Sequence, residues 1–289
     1  MSKLGTDPYK GVRDFYPEDM AVQNYIFNTW RKTAEKFGYV EYSASILEPA
    51  ELYKSKTSEE IVNEQTFTFT DRGGREVVLR PEMTPTLARM IAARRRNLKF
   101  PLRWYSIPNV FRYERPQRGR RREHWQLNCD LMGIADVEAE VEIISLAHAI
   151  MKAFGAKDDD FEIRLSSRKA LPEGVTMETI RRIDKGEEIN IDVPETDEIR
   201  SAFEYLDKKG VRNAKFDPKI VRGFDYYTGV VFEVFDTSPE SRRSLFGGGR
   251  YDNLLEMFGV EPIPTVGFGM GDVTIWDFLE THKLQMKYQ

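Results

Sequence analysis

Residues 111–130 read FRYERPQRGRRREHWQLNCD, and the fold turns on how this stretch is read. Extended outward, it becomes two β-prone arms, 103–113 and 123–133, joined by the polar loop RPQRGRR. Proline and glycine between two such arms predict a pair of antiparallel strands. Arg112 stands among Val110, Phe111 and Tyr113, where a strand is half buried. A charge in that position needs an anionic partner, supplied by the protein or by a ligand.

Upstream, Val22, Ile26, Trp30, Ala34 and Phe37 recur at three- or four-residue steps and Gly38 follows, which predicts an amphipathic helix over 19–37. The stretch 39–47 reads as extended. QTFTFT, the turn Asp71-Arg72-Gly73-Gly74 and REVVL predict a hairpin over 64–79. A helix over 84–97 follows, with Thr84 as N-cap and Pro85 as first helical residue. Downstream, Val137, Val141, Ile144, Ala147, Ile150 and Phe154 form one face of a helix, with Asp136 to cap it and Gly155 to stop it. The polar stretch 157–197 reads as a small insertion or a set of surface connections. A short helix over 199–209, a strand over 230–235 (VVFEVF) and short helices at 254–258 and 273–279 complete the chain. Antiparallel strands with helices set between them, without a regular βαβ alternation, give an α+β fold.

The chain has 289 residues, 40% hydrophobic and 31% charged, with a net charge of -4, so it reads as globular and not as a generally cationic nucleic-acid coat. One cysteine, Cys129, excludes an intramolecular disulfide and a Cys-rich zinc site. No run reaches the roughly 20 apolar residues of a membrane helix, and the N-terminus lacks a secretory signal's apolar core. The expectation is a cytoplasmic protein.

Against that acidic background, eleven arginines and lysines crowd between Arg94 and Arg122, opposed only by Glu114. Guanidinium groups suit phosphate oxygens, although Arg94 to Arg96 also read as a solvated face. Arg222 begins RGFDYYTG and runs into a buried strand; its simplest structural reading is a pair with Asp225. Gly247-Gly248-Gly249 exposes backbone N–H groups to a ligand or marks a turn. There is no P-loop, and Gly267-Phe268-Gly269-Met270-Gly271 falls short of a dinucleotide fingerprint. His124, His148 and His282 lack metal-binding spacing. With neither a nucleophile nor a metal cage, the chemistry suggested is catalysis by positioning and charge stabilisation, as in phosphoryl or nucleotidyl transfer.

Five ordered segments resemble the catalytic domain of histidyl-tRNA synthetases, which are class II aminoacyl-tRNA synthetases: GVRDFYP (11–17), LRPEMTPTLAR (79–89), the motif 2 stretch 111–130, RGFDYYTG (222–229) and GGGRYD (247–252). The resemblance implies an antiparallel sheet flanked by helices and a single catalytic core over 1–289. Within it, 157–217 would be a short insertion. It implies that L-histidine and ATP form histidyl-adenylate, that the histidyl group passes to the acceptor end of tRNA(His), that Mg2+ accompanies ATP, and that the protein is a homodimer.

By the same resemblance, Arg112 and Arg222 are the catalytic cations on the α-phosphate. Glu114 lies by the adenine, and Arg120 or Arg250 serves ATP. Glu82, Gln126 and Thr84 hold the α-ammonium. Asp130 and Tyr227 read the imidazole, with Tyr226 and Tyr251 lining the pocket, while Gly248 and Gly249 let the histidine backbone lie close. No metal held by the protein itself is implied. The family's motif 3 arginine would fall at Thr274, and the family's C-terminal anticodon-binding domain has no counterpart before Gln289. A second reading is therefore a non-aminoacylating paralogue, a histidine-sensing regulatory subunit whose partner is the catalytic subunit of ATP phosphoribosyltransferase. A third is an RNA-binding scaffold that reuses the fold.

Overall fold

A computed structural model describes residues 4–54, 65–117, 119–184, 186–189, 191–240 and 244–284. The strands are β1 (Val40–Glu41), β2 (Leu47–Pro49), β3 (Phe67–Thr70), β4 (Glu76–Leu79), β5 (Leu102–Ser106), β6 (Asn109–Phe111), β7 (Glu123–Met132), β8 (Phe161–Ser167), β9 (Ala214–Phe216), β10 (Val230–Asp236), β11 (Ser244–Arg250) and β12 (Thr265–Gly271). The helices are α1 (Pro17–Lys36), α2 (Glu51–Lys54), α3 (Thr84–Arg94), α4 (Glu138–Ala153), α5 (Met177–Asp184), α6 (Asp197–Lys208) and α7 (Asp272–Thr281).

The main sheet runs β1-β5-β7-β12-β11-β10-β8-β9, with β6 paired to the start of β7. All neighbours are antiparallel except β1 with β5 and β8 with β9. A small sheet, β2-β4-β3, stands beside it and contains the hairpin expected from 64–79; Glu64 lies outside the described residues. One face of the main sheet packs against α1, α4, α6 and α7 through Ile26, Trp30, Ile144, Ile150, Leu206, Phe268 and Phe278, all buried. Trp30 also donates its indole N–H to the Met270 sulfur at 3.0 Å. The opposite face carries the cleft.

The expected arm 103–113 is two strands. Pro108 has no N–H for a ladder, and its carbonyl accepts from Gln126 N at 3.0 Å, so the chain breaks there into β5 and β6. Thr84 is the first helical residue of α3 and not its cap, which is Met83; the Thr84 hydroxyl is engaged with Tyr226 instead. Nor does Asp136 cap α4: Val137 holds that position, and the carbonyl of Asp136 accepts from Ala139 N at 3.1 Å. Gly155 does stop α4, at φ 94°. Both ends of 157–217 belong to the main sheet. The strand β8 is almost wholly buried between β10 and β9 because Phe161, Ile163 and Leu165 alternate into the helix-packed core. What lies outside the sheet is the connection 168–213, which carries α5 and α6.

Candidate active site

The cleft floor is set by strand register. Across β7, β12, β11 and β10, one row of paired residues is Asp130, Gly267, Gly249 and Val231; the next is Asn128, Gly269, Gly247 and Glu233. Paired residues in antiparallel strands share a face, so in these two rows the middle strands present only glycine. The result is a trough three strand spacings across, about 14 Å, bordered at Gln126 and Glu233 by a cleft of about 1100 Å³ that Arg112 and Arg222 also line.

The glycines make room for polar groups that lean over them. A Cβ on Gly269 would lie 1.8 Å from Gln126 Nε2, and one on Gly267 would lie 2.5 Å from Asp130 Oδ1 and 2.7 Å from the Tyr251 hydroxyl. A Cβ on Gly249 would meet the Tyr227 ring at 3.0 Å. Gly248 has the opposite parity. Its Cβ would run into Gly267 O at 2.1 Å and the Phe268 side chain at 2.6 Å, on the helix-packed side. The triplet is thus neither a turn nor a loop of free N–H groups, and Gly248 does not face the cleft.

One end of the trough is a tyrosine cluster. Tyr226, Tyr227 and Tyr251 are buried, with ring centroids 4.9 to 6.3 Å apart. The Tyr251 hydroxyl donates to Asp130 Oδ1. Burial pushes the Asp130 carboxyl up to about 7, and the Tyr251 hydrogen bond holds it from rising further. Tyr226 donates to Glu82 Oε2 at 3.2 Å, and Glu82 is itself buried just before α3. Gln126 donates to Asn128 Oδ1 at 3.0 Å. These contacts bring Glu82, Thr84, Gln126, Asp130, Tyr226, Tyr227, Gly249 and Tyr251 to one site.

The other end is cationic. Arg222 adopts φ 52°, a left-handed conformation uncommon outside glycine, and pairs with Glu233 on β10. Burial works against its charge, but Glu233, with Tyr227 and Asp184, outweighs burial and raises its pKa further. Its Nε is buried without a hydrogen-bond partner. The expected Arg222–Asp225 pair does not form; Asp225 binds Arg181 on α5. Arg112 also lines the cleft, with Nε donating to Pro81 O at 2.8 Å and the guanidinium 5.9 Å from the Phe224 ring centroid. Glu114 faces Arg120 at 3.3 Å, and its Oε2 is buried without a hydrogen bond. His124 lies between these groups and Gly271; burial, then Arg112 and Arg13, push its imidazole down to about 3 against a hydrogen bond with Gln126. Thr274 sits at the first turn of α7, its hydroxyl donating to Leu245 O at 2.7 Å.

Arg250 is not a cleft residue. It shares parity with Gly248, and only 2% of its side chain is exposed. Its N–H groups go to Glu140 Oε1 and Oε2 at 2.5 and 2.6 Å, to the carbonyls of Ile134 and Asp136, and to Asp252. A guanidinium has five N–H donors, so none is left for ATP. Glu233, Asn128 and His124 are site residues that the sequence reading did not select; the period-two spacing of glycines on β11 and β12 was the signal for that face. Among the described residues no group of three or more His, Cys, Asp or Glu is placed to hold a metal ion, and no helix is long and apolar enough to cross a membrane.

A family model described as "Histidyl-tRNA synthetase" matches residues 11–169 and 167–272. The chain is 44% identical to the histidine--tRNA ligase of Leptospira biflexa, across 98% of this chain and 76% of that protein. It is 40% identical to the histidine--tRNA ligase of Thermoplasma volcanium, across 92% of this chain and 73% of that protein. The Leptospira match spans 331 positions, more than the 289 residues available here, so that relative carries extra residues inside the matched span. The apo histidyl-tRNA synthetase of S. aureus superposes with a TM-score of 0.76 at 24% identity, covering 100% of this chain and 73% of that one.

Proposed function

The chain belongs to the histidyl-tRNA synthetase family, and from that membership and the cleft we propose that it activates L-histidine with ATP and charges tRNA(His). The carboxylate of histidine attacks the α-phosphorus of ATP, forming histidyl-adenylate as pyrophosphate leaves. A terminal ribose hydroxyl of tRNA then attacks the adenylate carbonyl, and AMP departs. The observation that carries this reading is the arrangement of the trough. A buried carboxylate, Asp130, stands at one end, and the cations Arg222 and Arg112 stand at the other.

In this reading Asp130 and Tyr227 receive the imidazole, because a carboxylate accepts the ring N–H. Glu82, Gln126 and Thr84 take the α-ammonium, while Tyr226 and Tyr251 close the sides and Gly249 leaves the floor open. Arg112 and Arg222 face the α-phosphate. The attacking carboxylate is already ionised, so the step needs alignment and positive charge more than a general base. Arg120 serves the outer phosphates and Glu114 the adenine amino group. Mg2+ would be carried by the ATP phosphates themselves, since no group of three or more His, Cys, Asp or Glu among the described residues is placed to hold it, and it would supply charge neutralisation there.

The whole chain serves as one catalytic core, with 168–213 as its short insertion. A homodimer is what membership of the family implies, and Met20, Val40 and Leu47 are large apolar side chains left exposed on α1, β1 and β2. Sedimentation giving only a 33.6 kDa species at micromolar concentration would refute the dimer. The histidine-sensing alternative, with ATP phosphoribosyltransferase as partner, has less support, since the curated relatives named above are ligases. The deciding experiment is histidine-dependent ATP–pyrophosphate exchange with Mg2+. Exchange specific to L-histidine supports the proposal, and histidine binding without exchange overturns it.

A further inference from the structure

The loop 221–225 carries Arg222 in an unfavourable backbone conformation, and the surroundings fix that loop residue by residue. Arg168 sits at the end of β8. Its backbone N donates to Gly229 O at 2.9 Å, and its Nη1 donates to the carbonyls of Val221 at 3.1 Å and Arg222 at 2.9 Å. Its Nη2 reaches the sulfur of Met177, the first residue of α5, at 3.0 Å. One helical turn beyond Met177, Arg181 grips both oxygens of Asp225 at 2.7 and 2.9 Å. Asp184 closes the grip, since a Cβ on Gly223 would lie 2.7 Å from its Oδ2. The helix itself is anchored by Ile180, which is buried.

A left-handed non-glycine residue persists only where its neighbours over-determine it. Here the carbonyl of Arg222 is tied to Arg168, Gly223 is pressed on Asp184, and Asp225 is tied to Arg181. The side chain of Arg222 is thereby held against Glu233 on β10, within reach of the Asp184 charge on α5.

Resting on the reading of Arg222 as a cation for the reacting phosphate, we propose that Arg181 and Arg168 are positioning residues for it. In this arrangement α5 is a brace that presets the Arg222 guanidinium before ATP arrives. Arg181 borders the cleft, and in this proposal both residues act through the loop. Their work is to remove the reorganisation that a loose loop would need during adenylate formation.

The test begins with amide hydrogen exchange on the full chain without ligands. In Arg181→Ala, exchange over 221–229 should rise roughly tenfold or more while β11 and β12 keep their protection; unchanged protection over 221–229 overturns the proposal. Pyrophosphate-exchange kinetics supply the second readout. Arg181→Ala should lower kcat about tenfold with the KM for histidine within about twofold of wild type. The swapped pair Arg181→Asp with Asp225→Arg should recover kcat to within about threefold. A kcat unchanged in Arg181→Ala, or a swapped pair no better than its single variants, overturns the proposal. Wild-type protein that shows no histidine-dependent exchange counts against the synthetase reading, and the loop measurement then decides the brace alone.

Discussion

The Tyr251 hydroxyl donates to Oδ1 of Asp130 where both side chains are buried at the end of the trough. That bond partly offsets the cost of burying a carboxylate and leaves Asp130 titrating at about 7. The carboxyl proposed to accept the imidazole N–H thus changes protonation state near neutral pH. Removing the proton from Asp130 creates the acceptor, so histidine affinity should climb as pH rises through 7. The ligand's own imidazole titrates near 6.5, so two protons shape the profile. In Asp130→Asn the log kcat/KM profile for histidine should lose one unit of slope and fall overall by about tenfold or more. An Asn variant with the wild-type profile would show that Asp130 does not read the ring.

Arg222 and Glu233 form a partly buried pair, their side chains 17% and 13% exposed, so removal of the cation has two consequences. Exchange in Arg222→Ala should lose about 2–4 kcal/mol of transition-state stabilisation, as for other preorganised charge donors. Glu233 is also left partly shielded from solvent without its partner, so the melting temperature should fall. The double variant Arg222→Ala/Glu233→Gln should recover the melting temperature but not the exchange rate. Recovery of both would remove Arg222 from the phosphate.

Gly269 and Gly248 are adjacent in sequence type but opposite in facing. Alanine at 269 collides with the end of the Gln126 side chain, which can swing away, so the fold should survive. The KM for histidine should then rise about tenfold as the α-ammonium contact is displaced. Alanine at 248 collides with the Gly267 carbonyl in the neighbouring strand, so its loss should be in stability, by about 1–3 kcal/mol of overpacking. Thermal melts and exchange kinetics on the two variants separate these outcomes; identical behaviour would contradict the facing assigned here.

Arg250→Ala leaves Glu140 charged and unpaired in the core, a change that costs about 3–5 kcal/mol. In protein that remains folded, the KM for ATP should be unaltered. A rise in that KM without loss of stability would return Arg250 to the ATP site.

His124 is held neutral down to about pH 3. An unfolded chain takes up that proton near 6.5, so the folded state binds fewer protons between the two values. Stability contributed by the neutral imidazole is therefore present above 6.5 and is lost as pH falls toward 3. The groups facing it are Arg112, Arg13 and Gln126. Urea titrations of His124→Gln should show a shallower acid loss over that window than wild type; equal slopes would place the titration elsewhere.

The sequence made the helices and most strands legible because their apolar periods are regular, as in α1, α4 and β10. It also brought Glu82, Arg112, Gln126, Asp130, Arg222 and the tyrosines to one site through five ordered segments. The errors came from facing and partner choice. Gly248 and Arg250 share a parity along β11 that turns both toward the helices, and a motif read as a block does not record parity. Asp225 lies three residues from Arg222, yet its partner is Arg181, 44 positions away. Local spacing cannot reveal such a partner. The strand β8 hid in a polar stretch because it follows three aspartates and its own FEIRLSS alternates the apolar Phe161, Ile163 and Leu165 with the charged Glu162 and Arg164.

The glycine floor also limits how this enzyme's amino-acid preference can be redesigned. A pocket is usually enlarged by trimming a side chain, but backbone is already the lowest surface available at Gly247, Gly249, Gly267 and Gly269. A bulkier amino acid would have to be accommodated by cutting into the walls, at Tyr226, Tyr227, Tyr251 or Gln126, which are the groups proposed to orient the ligand. Substitution on the floor can only shrink the space, so analogues smaller than histidine are the accessible direction of change.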